Sequence, residues 1–321
     1  MYMANTMATS IEMLGLSLPY SSSFPADSKE KQNEFLSAGE ATKVLLEKYI
    51  KPLDILSREV IENAITITMA LGGSRNSVLH LIAIARAENI PLTINDFEKG
   101  FINGDCLTVT GTTLGENLAH VPGLSDNHEI IHTVDRPLKS SRHLRILRGE
   151  LAPEGSVANI TGKEGLVFAG TAKVYDCEED MMSVLENNEI TKRSVIHGKL
   201  AVLTSCALLL CSGAYSAIMG DGLSKDVAML TDGRFSGGSH GFIIGHITPR
   251  RKWAVQLRAS RMETRLKLMR KNRIDLTDVS AEELAQRKKE WVAPPLKDTR
   301  GLLYKFIKNV NSASEGCITD E

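Results

Sequence analysis

The residues best equipped for chemistry in this 321-residue chain lie in one run, TDGRFSGGSHG, residues 231–241. Gly233, Gly237, Gly238 and Gly241 surround Arg234, Phe235, Ser236, Ser239 and His240. An arginine can hold a carboxylate or phosphate through two parallel hydrogen bonds. A serine beside glycines can approach a reacting carbon closely, but its hydroxyl is a poor base unless a neighbouring base or cation favours the alkoxide. The pattern around the run predicts a buried strand over Val227–Thr231, a glycine loop, and an apolar helix beginning over Gly241–Ile247. That order would aim backbone N–H groups and a helix N-terminus at an anion. A plain strand-to-helix turn with Ser236 as the helix cap fits the pattern equally well. Neither GK[ST] nor GxGxxG is present here, so this is not a standard nucleotide-phosphate loop.

A second glycine pair stands in LGGSRN, residues 71–76, where the N–H groups of Gly73 and Ser74 could also face a ligand. A helix C-cap followed by an N-cap explains the same residues without a ligand. Glu154, Lys163 and Glu164 fall on turns and read as solvated charges. His80, His120, His128, His132, His143, His197, His240 and His246 show neither HxH nor HExxH spacing. The five cysteines, Cys106, Cys177, Cys206, Cys211 and Cys317, are odd in number and lack CxxC spacing. They predict neither a disulfide framework nor a metal site built from local cysteine pairs.

The elements that must carry these loops change character along the chain. Helical periodicity dominates the first third, with helices predicted over 4–16, 31–49, 58–71 and 78–87. From about residue 106, β-rich runs such as LTVTG, SVANITG, GLVFAGTAKVY and KDVAMLTDG alternate with glycine turns. Helices become few until 281–291 and 302–310. Two domains are therefore expected, 1–127 and 128–321. The N-terminus has neither a signal peptide nor an Arg-rich transit peptide and reads like the middle of a domain, so a beginning is expected to be missing. A net charge of −1 gives no reason to expect nucleic acid or membrane as a partner. The longest apolar run, about Leu200–Cys211, is too short to cross a bilayer.

Side by side, ANTMATSIEMLGLSLPYSSS, ITMALGGSRNSVLHLIAIA, LRGELAPEGSVANITGKEGLVFAG, SAIMGDGLSKDVAMLTDGRFSGGSHGFIIGHI and SASEGCITDE resemble the dihydroxy-acid/6-phosphogluconate dehydratase family. The tail and the PYSSS loop look most like those of fungal and plant members. The resemblance implies an α/β fold: a partial first domain with a flanked parallel sheet, then a β-barrel-like C-terminal domain whose glycine loop faces the first across a cleft. It implies a hydro-lyase of valine and isoleucine biosynthesis that turns 2,3-dihydroxy-3-methyl acids into 2-oxo acids. A [2Fe-2S] cluster acts on the departing 3-hydroxyl, Mg²⁺ holds the carboxylate end, and a serine alkoxide takes the C2 proton. That serine corresponds to Ser236, with Arg234, Gly237, Ser239, Gly73 and Ser74 as substrate-binding positions. The resemblance further implies a homodimer in the mitochondrial matrix or a plastid.

The departures from the family pattern shape the expectation for this chain. The cluster cysteines, a magnesium-binding aspartate and a modified lysine belong upstream of Met1, so no metal ligand is assigned here. LAVLTSCALLLCSGAY stands where members carry a further magnesium-binding glutamate. A segment between Lys99 and Gly100 is missing, and Arg75 replaces a small threonine. The chain is therefore expected to be inactive alone, or to act as a non-catalytic partner of a full-length dehydratase. Residues 250–273 hold ten Lys or Arg against one acid, Glu263. Trp253–Leu257 can be written in codons that, read one base out of register, encode Gly-Gly-Pro-Ile, as family members have after GHI. A frame error between about Arg250 and Lys271 explains this better than a functional basic helix, whose apolar stripe is ragged. LAVLTSCALLLC reads as a retained intron or a second such error. Poor packing is expected of 250–273.

Overall fold

The structure, a computed structural model, describes residues 5–98, 100, 102–123, 132–133, 135–137, 143–160, 167–175, 178–187, 189–198, 212–235, 239, 241–248, 265–268, 272–290 and 299–319. The chain divides into two compact units. One comprises Met1–Gly73, Ile84–Leu92 and Asp96–Arg142; the other comprises Ser74–Ala83, Thr93–Asn95 and His143–Glu321.

The first unit is helical among its described residues. Helices α1 (Thr6–Met13), α2 (Lys29–Glu47), α3 (Pro52–Ile55) and α4 (Arg58–Ala70) follow one another, and a short α6 (Leu114–Leu118) comes later. α4 starts where the Ser57 side chain accepts the Val60 N–H, and its buried face repeats every three or four residues through Val60, Ile61, Ala64, Ile65 and Thr68. It packs on α1, where Ser10 Oγ and Thr68 Oγ1 lie 2.9 Å apart. α2 is capped by Ser28 but buries none of its residues, and leaves Phe35, Leu36 and Leu46 exposed. The predicted LTVTG strand is instead a turn. An isolated bridge joins Leu107 to Thr113, and the Asn117 amide hydrogen-bonds Thr108 and Thr110. Threonine hydroxyls that bond locally offer an alternative to a strand ladder.

Among its described residues the second unit holds an eight-stranded sheet, which gives the chain its α/β class. In chain order the strands are β1 (Leu144–Gly149), β2 (Ala152–Asn159), β3 (Phe168–Tyr175), β4 (Ser194–Gly198), β5 (Ala228–Thr231), β6 (Phe242–Thr248), β7 (Arg265–Leu268) and β8 (Ile274–Leu276). Their order in the sheet is β1-β2-β6-β5-β4-β3-β7-β8. The centre, β3 to β6, is parallel, and the flanks are antiparallel. Parallel neighbours need a crossover, usually a helix. α7 (Glu178–Glu186) lies between β3 and β4, and α8 (Ser212–Gly220) between β4 and β5. These two helices correct the expectation that helices are scarce before the tail. The tail helices are α9 (Ala281–Glu290) and α10 (Gly301–Asn309).

β6 corrects a second expectation, for residues 242–248 form a strand and not a helix. Every residue of β6 is buried, and it pairs in parallel with β5 through Ala228–Phe242, Met229–Ile243 and Leu230–Ile244. Ala228, Leu230, Phe242 and Ile244 enter one core with Leu147, Ala158 and Val195, whereas Met229 and Ile243 enter another with Met181, Leu185, Ile218 and Phe235. A strand covered on both faces reads as a continuous apolar run, and periodicity cannot separate such a run from a buried helix. The β-branched isoleucines favour the strand. Burial of each large side chain contributes about 1.5–3 kcal/mol.

The two edge strands approach each other at one end. Arg148 and Arg273 form an isolated parallel bridge, and the Leu151 N–H donates to the Ile274 carbonyl. The backbone at Gly149, with φ +148°, runs so close to Ile274 that a Cβ would lie 2.2 Å from its carbonyl oxygen. Only glycine fits there.

Candidate functional site

Within the second unit, Arg234 and Ser239 stand on the connection that leaves the C-terminal end of β5. Ligands of open α/β sheets bind at the carboxyl ends of parallel strands, where backbone groups leave the ladder. Residues 232–241 stand in sequence between β5 and its parallel neighbour β6. The Gly233 N–H donates to Thr231 Oγ1 at 3.0 Å, and the His246 N–H donates to the Gly233 carbonyl at 2.9 Å. Asp232, Phe235 and Ser239 are buried, and Arg234 is half-buried. Ser236, Gly237 and His240 lie outside the described residues, as do Lys163, Glu164, Cys177, Cys206 and Cys211. Because β6 is a strand, the helix N-terminus expected behind the loop is not there.

A different N-terminus lies within the second unit. Helix α5 (Asn76–Ala87) begins in it, with no acidic residue in its first turn. Ser74 caps it: the Asn76 N–H donates to Ser74 Oγ at 3.3 Å, and the Ser77 hydroxyl donates to the Ser74 carbonyl at 2.7 Å. Gly72 and Gly73 close α4 in the first unit. Gly72 is left-handed, with φ +65°, and the Gly73 N–H donates to the Thr68 carbonyl at 2.8 Å. This 6→1 bond, with the Gly72 N–H to the Met69 carbonyl, is a Schellman closure. A Cβ on Gly73 would lie 2.7 Å from Thr6 Cγ2 and 2.9 Å from Thr68 Cγ2. Gly73 thus helps to close α4, and Ser74 caps α5.

Arg75 departs from all of this. Its side chain is 3% exposed, and its guanidinium carbon lies 5.7 Å from the Phe235 ring centroid. Nη1 is fully enclosed without a hydrogen-bond partner, and no ion pair to Arg75 occurs among the described residues. Burial pulls its pKa down to about 10, with Tyr215 opposing, so the group stays cationic at neutral pH. Asn76 reaches the same phenylalanine, its Nδ2 donating to the Phe235 carbonyl at 3.4 Å. His80 on the next turn is held below its ordinary pKa, first by burial and then by the Arg234 charge. The cluster is thus cationic and rich in donors.

Sequence patterning singled out Arg75 as a departure and passed over Asn76, His80 and Phe235 as site residues. A charge placed directly after a Gly-Gly-Ser cap and before an apolar helix was the available signal.

The family model described as dihydroxy-acid/6-phosphogluconate dehydratase N-terminal matches residues 1–100, and the corresponding C-terminal model matches residues 129–317. This chain belongs to the dihydroxy-acid/6-phosphogluconate dehydratase family. Among proteins similar to this family member, a dihydroxy-acid dehydratase of Flavobacterium psychrophilum is 44% identical over 364 residues, covering 100% of this chain and 64% of its own length. The mitochondrial dihydroxy-acid dehydratase of Schizosaccharomyces pombe is 44% identical over 365 residues, and the chloroplastic one of Arabidopsis thaliana 43% over 371. Each alignment covers all of this chain, and 60% and 59% of those two proteins. The chain therefore spans about three fifths of the length of these relatives. Each alignment also exceeds the chain's 321 residues, so the relatives carry internal residues with no counterpart here.

A metal centre needs converging thiolates, imidazoles or carboxylates. Among the described residues of this dehydratase-family chain, no three such side chains converge. Cys106 and Cys317 are the described cysteines, and burial, followed by Glu59, pushes the Cys106 thiol up, away from thiolate. These residues do not fit an iron–sulfur cluster or Mg²⁺.

Proposed function

We propose that this chain carries the substrate-handling part of a hydro-lyase acting on 2,3-dihydroxy-3-methyl acids. The observation that carries this reading is identity of 43–44% to dihydroxy-acid dehydratases along the whole chain. Ser236 is the group that takes the C2 proton, on the loop between β5 and β6. Arg234, Gly237, Ser239, Gly73 and Ser74 form the substrate-binding set. Loss of the C2 proton and of the 3-hydroxyl, as water, leaves an enol that tautomerises to the 2-oxo acid, so atoms and charge balance. Arginine charge near the loop favours a serine alkoxide, in the way that any nearby cation lowers the pKa of a hydroxyl.

The [2Fe-2S] cluster and Mg²⁺ expected from the resemblance find no ligand set among the described residues, and no step above runs through them. A homodimer and a mitochondrial or plastid location belong to the same reading; the relatives called mitochondrial and chloroplastic support the location. The approach of β1 to β8 supports a barrel-like reading of the second unit.

Purified chain incubated with 2,3-dihydroxy-3-methylbutanoate, with the product trapped as a hydrazone, tests the reading. Formation of 2-oxoisovalerate that disappears in Ser236→Ala supports it. Binding of the acid without turnover supports the non-catalytic partner instead, and co-purification with a full-length dehydratase would then follow. A chain that neither binds nor converts the acid overturns both.

A further inference from the structure

A buried guanidinium without a partner is expensive, because the charge loses hydration that nothing replaces. Natural structures pair such groups, so an unpaired one asks for an anion supplied from outside. Arg75 is such a group: 3% exposed, with Nη1 enclosed and no hydrogen bond or ion pair among the described residues. Two further features increase the positive charge around it. The first turn of α5 bears no acid to offset the positive end of the helix dipole, and Arg234 acts on His80 one turn along the same helix. The Phe235 face attracts the guanidinium but cannot neutralise it.

Asn76 narrows the chemistry. Its Nδ2 donates to the Phe235 carbonyl, which fixes the amide orientation, since a carbonyl cannot donate in return. Oδ1 is therefore an acceptor, and it is buried without a partner. Adjacent residues that both reach Phe235 thus present one donor short of an anion and one acceptor short of a donor. A hydroxy-carboxylate supplies both groups; a simple anion supplies only the first. We infer that Arg75 binds the carboxylate of a hydroxy acid directly, without a bridging metal ion, while Asn76 Oδ1 receives a hydroxyl of the same molecule. This rests on the dehydratase reading for the identity of the acid, but not for the existence of the anion site.

Calorimetric titration of the full chain in excess EDTA tests it, with four probes: 2,3-dihydroxy-3-methylbutanoate, its methyl ester, 3-methylbutanoate and inorganic phosphate. The dihydroxy acid should bind at least tenfold more tightly than its ester. Arg75→Thr should remove that advantage and leave the ester unchanged. Should Arg75→Thr fail to fold, Asn76→Asp is the second variant. An internal carboxylate beside Arg75 should abolish binding of the acid and raise the melting temperature. Equal affinity of native chain and Arg75→Thr for the acid overturns the inference, leaving the dehydratase reading standing. Phosphate that binds as tightly as the acid overturns the carboxylate assignment. If 3-methylbutanoate matches the dihydroxy acid and both depend on Arg75, the anion site stands, and the hydroxyl role of Asn76 and the dehydratase reading both fall.

Discussion

At the scale of single residues, the second unit carries a charge that weakens its own fold. Burial draws the pKa of Arg75 down from the ordinary guanidinium range to about 10 on folding, which corresponds to roughly 3 kcal/mol of destabilisation wherever the group is charged in both states. The cost is fully present below about pH 10 and is relieved only as pH rises above that. Arg75→Met, which keeps the bulk and the contact with Phe235, should raise the unfolding free energy by about 1–3 kcal/mol in urea titrations at neutral pH. His80 acts in the opposite pH range. Its folded pKa lies below the ordinary 6.5, so the unfolded chain binds a proton first as pH falls, and stability declines below about pH 6.5. His80→Gln should flatten that decline, measured as the shift in urea midpoint between pH 7.5 and 5.5. An unchanged shift would mean that other groups set the acid limit. Sequence alone placed Arg234 and Ser239 beside a glycine loop, but the enclosure of Arg75 was invisible to it, because burial depends on what the rest of the fold brings near.

At the scale of elements, local chemistry was most legible where it was strongest. The helix over Arg58–Leu71 and its Gly-Gly stop could be read from an apolar stripe and two residues without side chains, and the structure ends it one residue earlier at Ala70. The strand over 227–231 was likewise readable. The misreading of 242–248 shows the limit: three isoleucines and a phenylalanine say that a segment is buried without saying how it is wound. Gly72 and Gly73 allow the two causes of glycine choice to be separated. Gly72→Ala places a side chain at φ +65° and should cost about 1 kcal/mol. Gly73→Ala must instead displace the methyls of Thr6 and Thr68 and should cost about 1–3 kcal/mol. Gly73→Ala combined with Thr68→Ser, which removes one of those methyls, should recover part of the loss in thermal melts.

At the scale of the whole molecule, family membership was legible because it rests on motifs spread over both halves of the chain. The behaviour of the surface was less so. Phe35, Leu36, Leu46, Tyr49 and Leu53, in and after α2, are 62–77% exposed. Apolar surface of this kind promotes association. Replacing Leu36 and Leu46 by Glu should leave the melting temperature within about 2 °C, because neither is buried, while raising the concentration at which the protein scatters light. The two stretches of unusual composition are only glimpsed: 199–211 lie outside the described residues, and of 250–273 the structure describes 265–268 and 272–273. Those six residues bear on the rest. β7 hydrogen-bonds β3 on one side and β8 on the other, and Arg273 bridges to Arg148 of β1. These few residues thus cover the outer edge of β3 and touch β1 at once. Excising them would bare a row of amide and carbonyl groups along β3 and another beside β1, ready templates for docking the same ribbon from another molecule. The fate of such a shortened chain would be fibrillar growth, a phenotype visible by dye binding and unrelated to any lost catalysis.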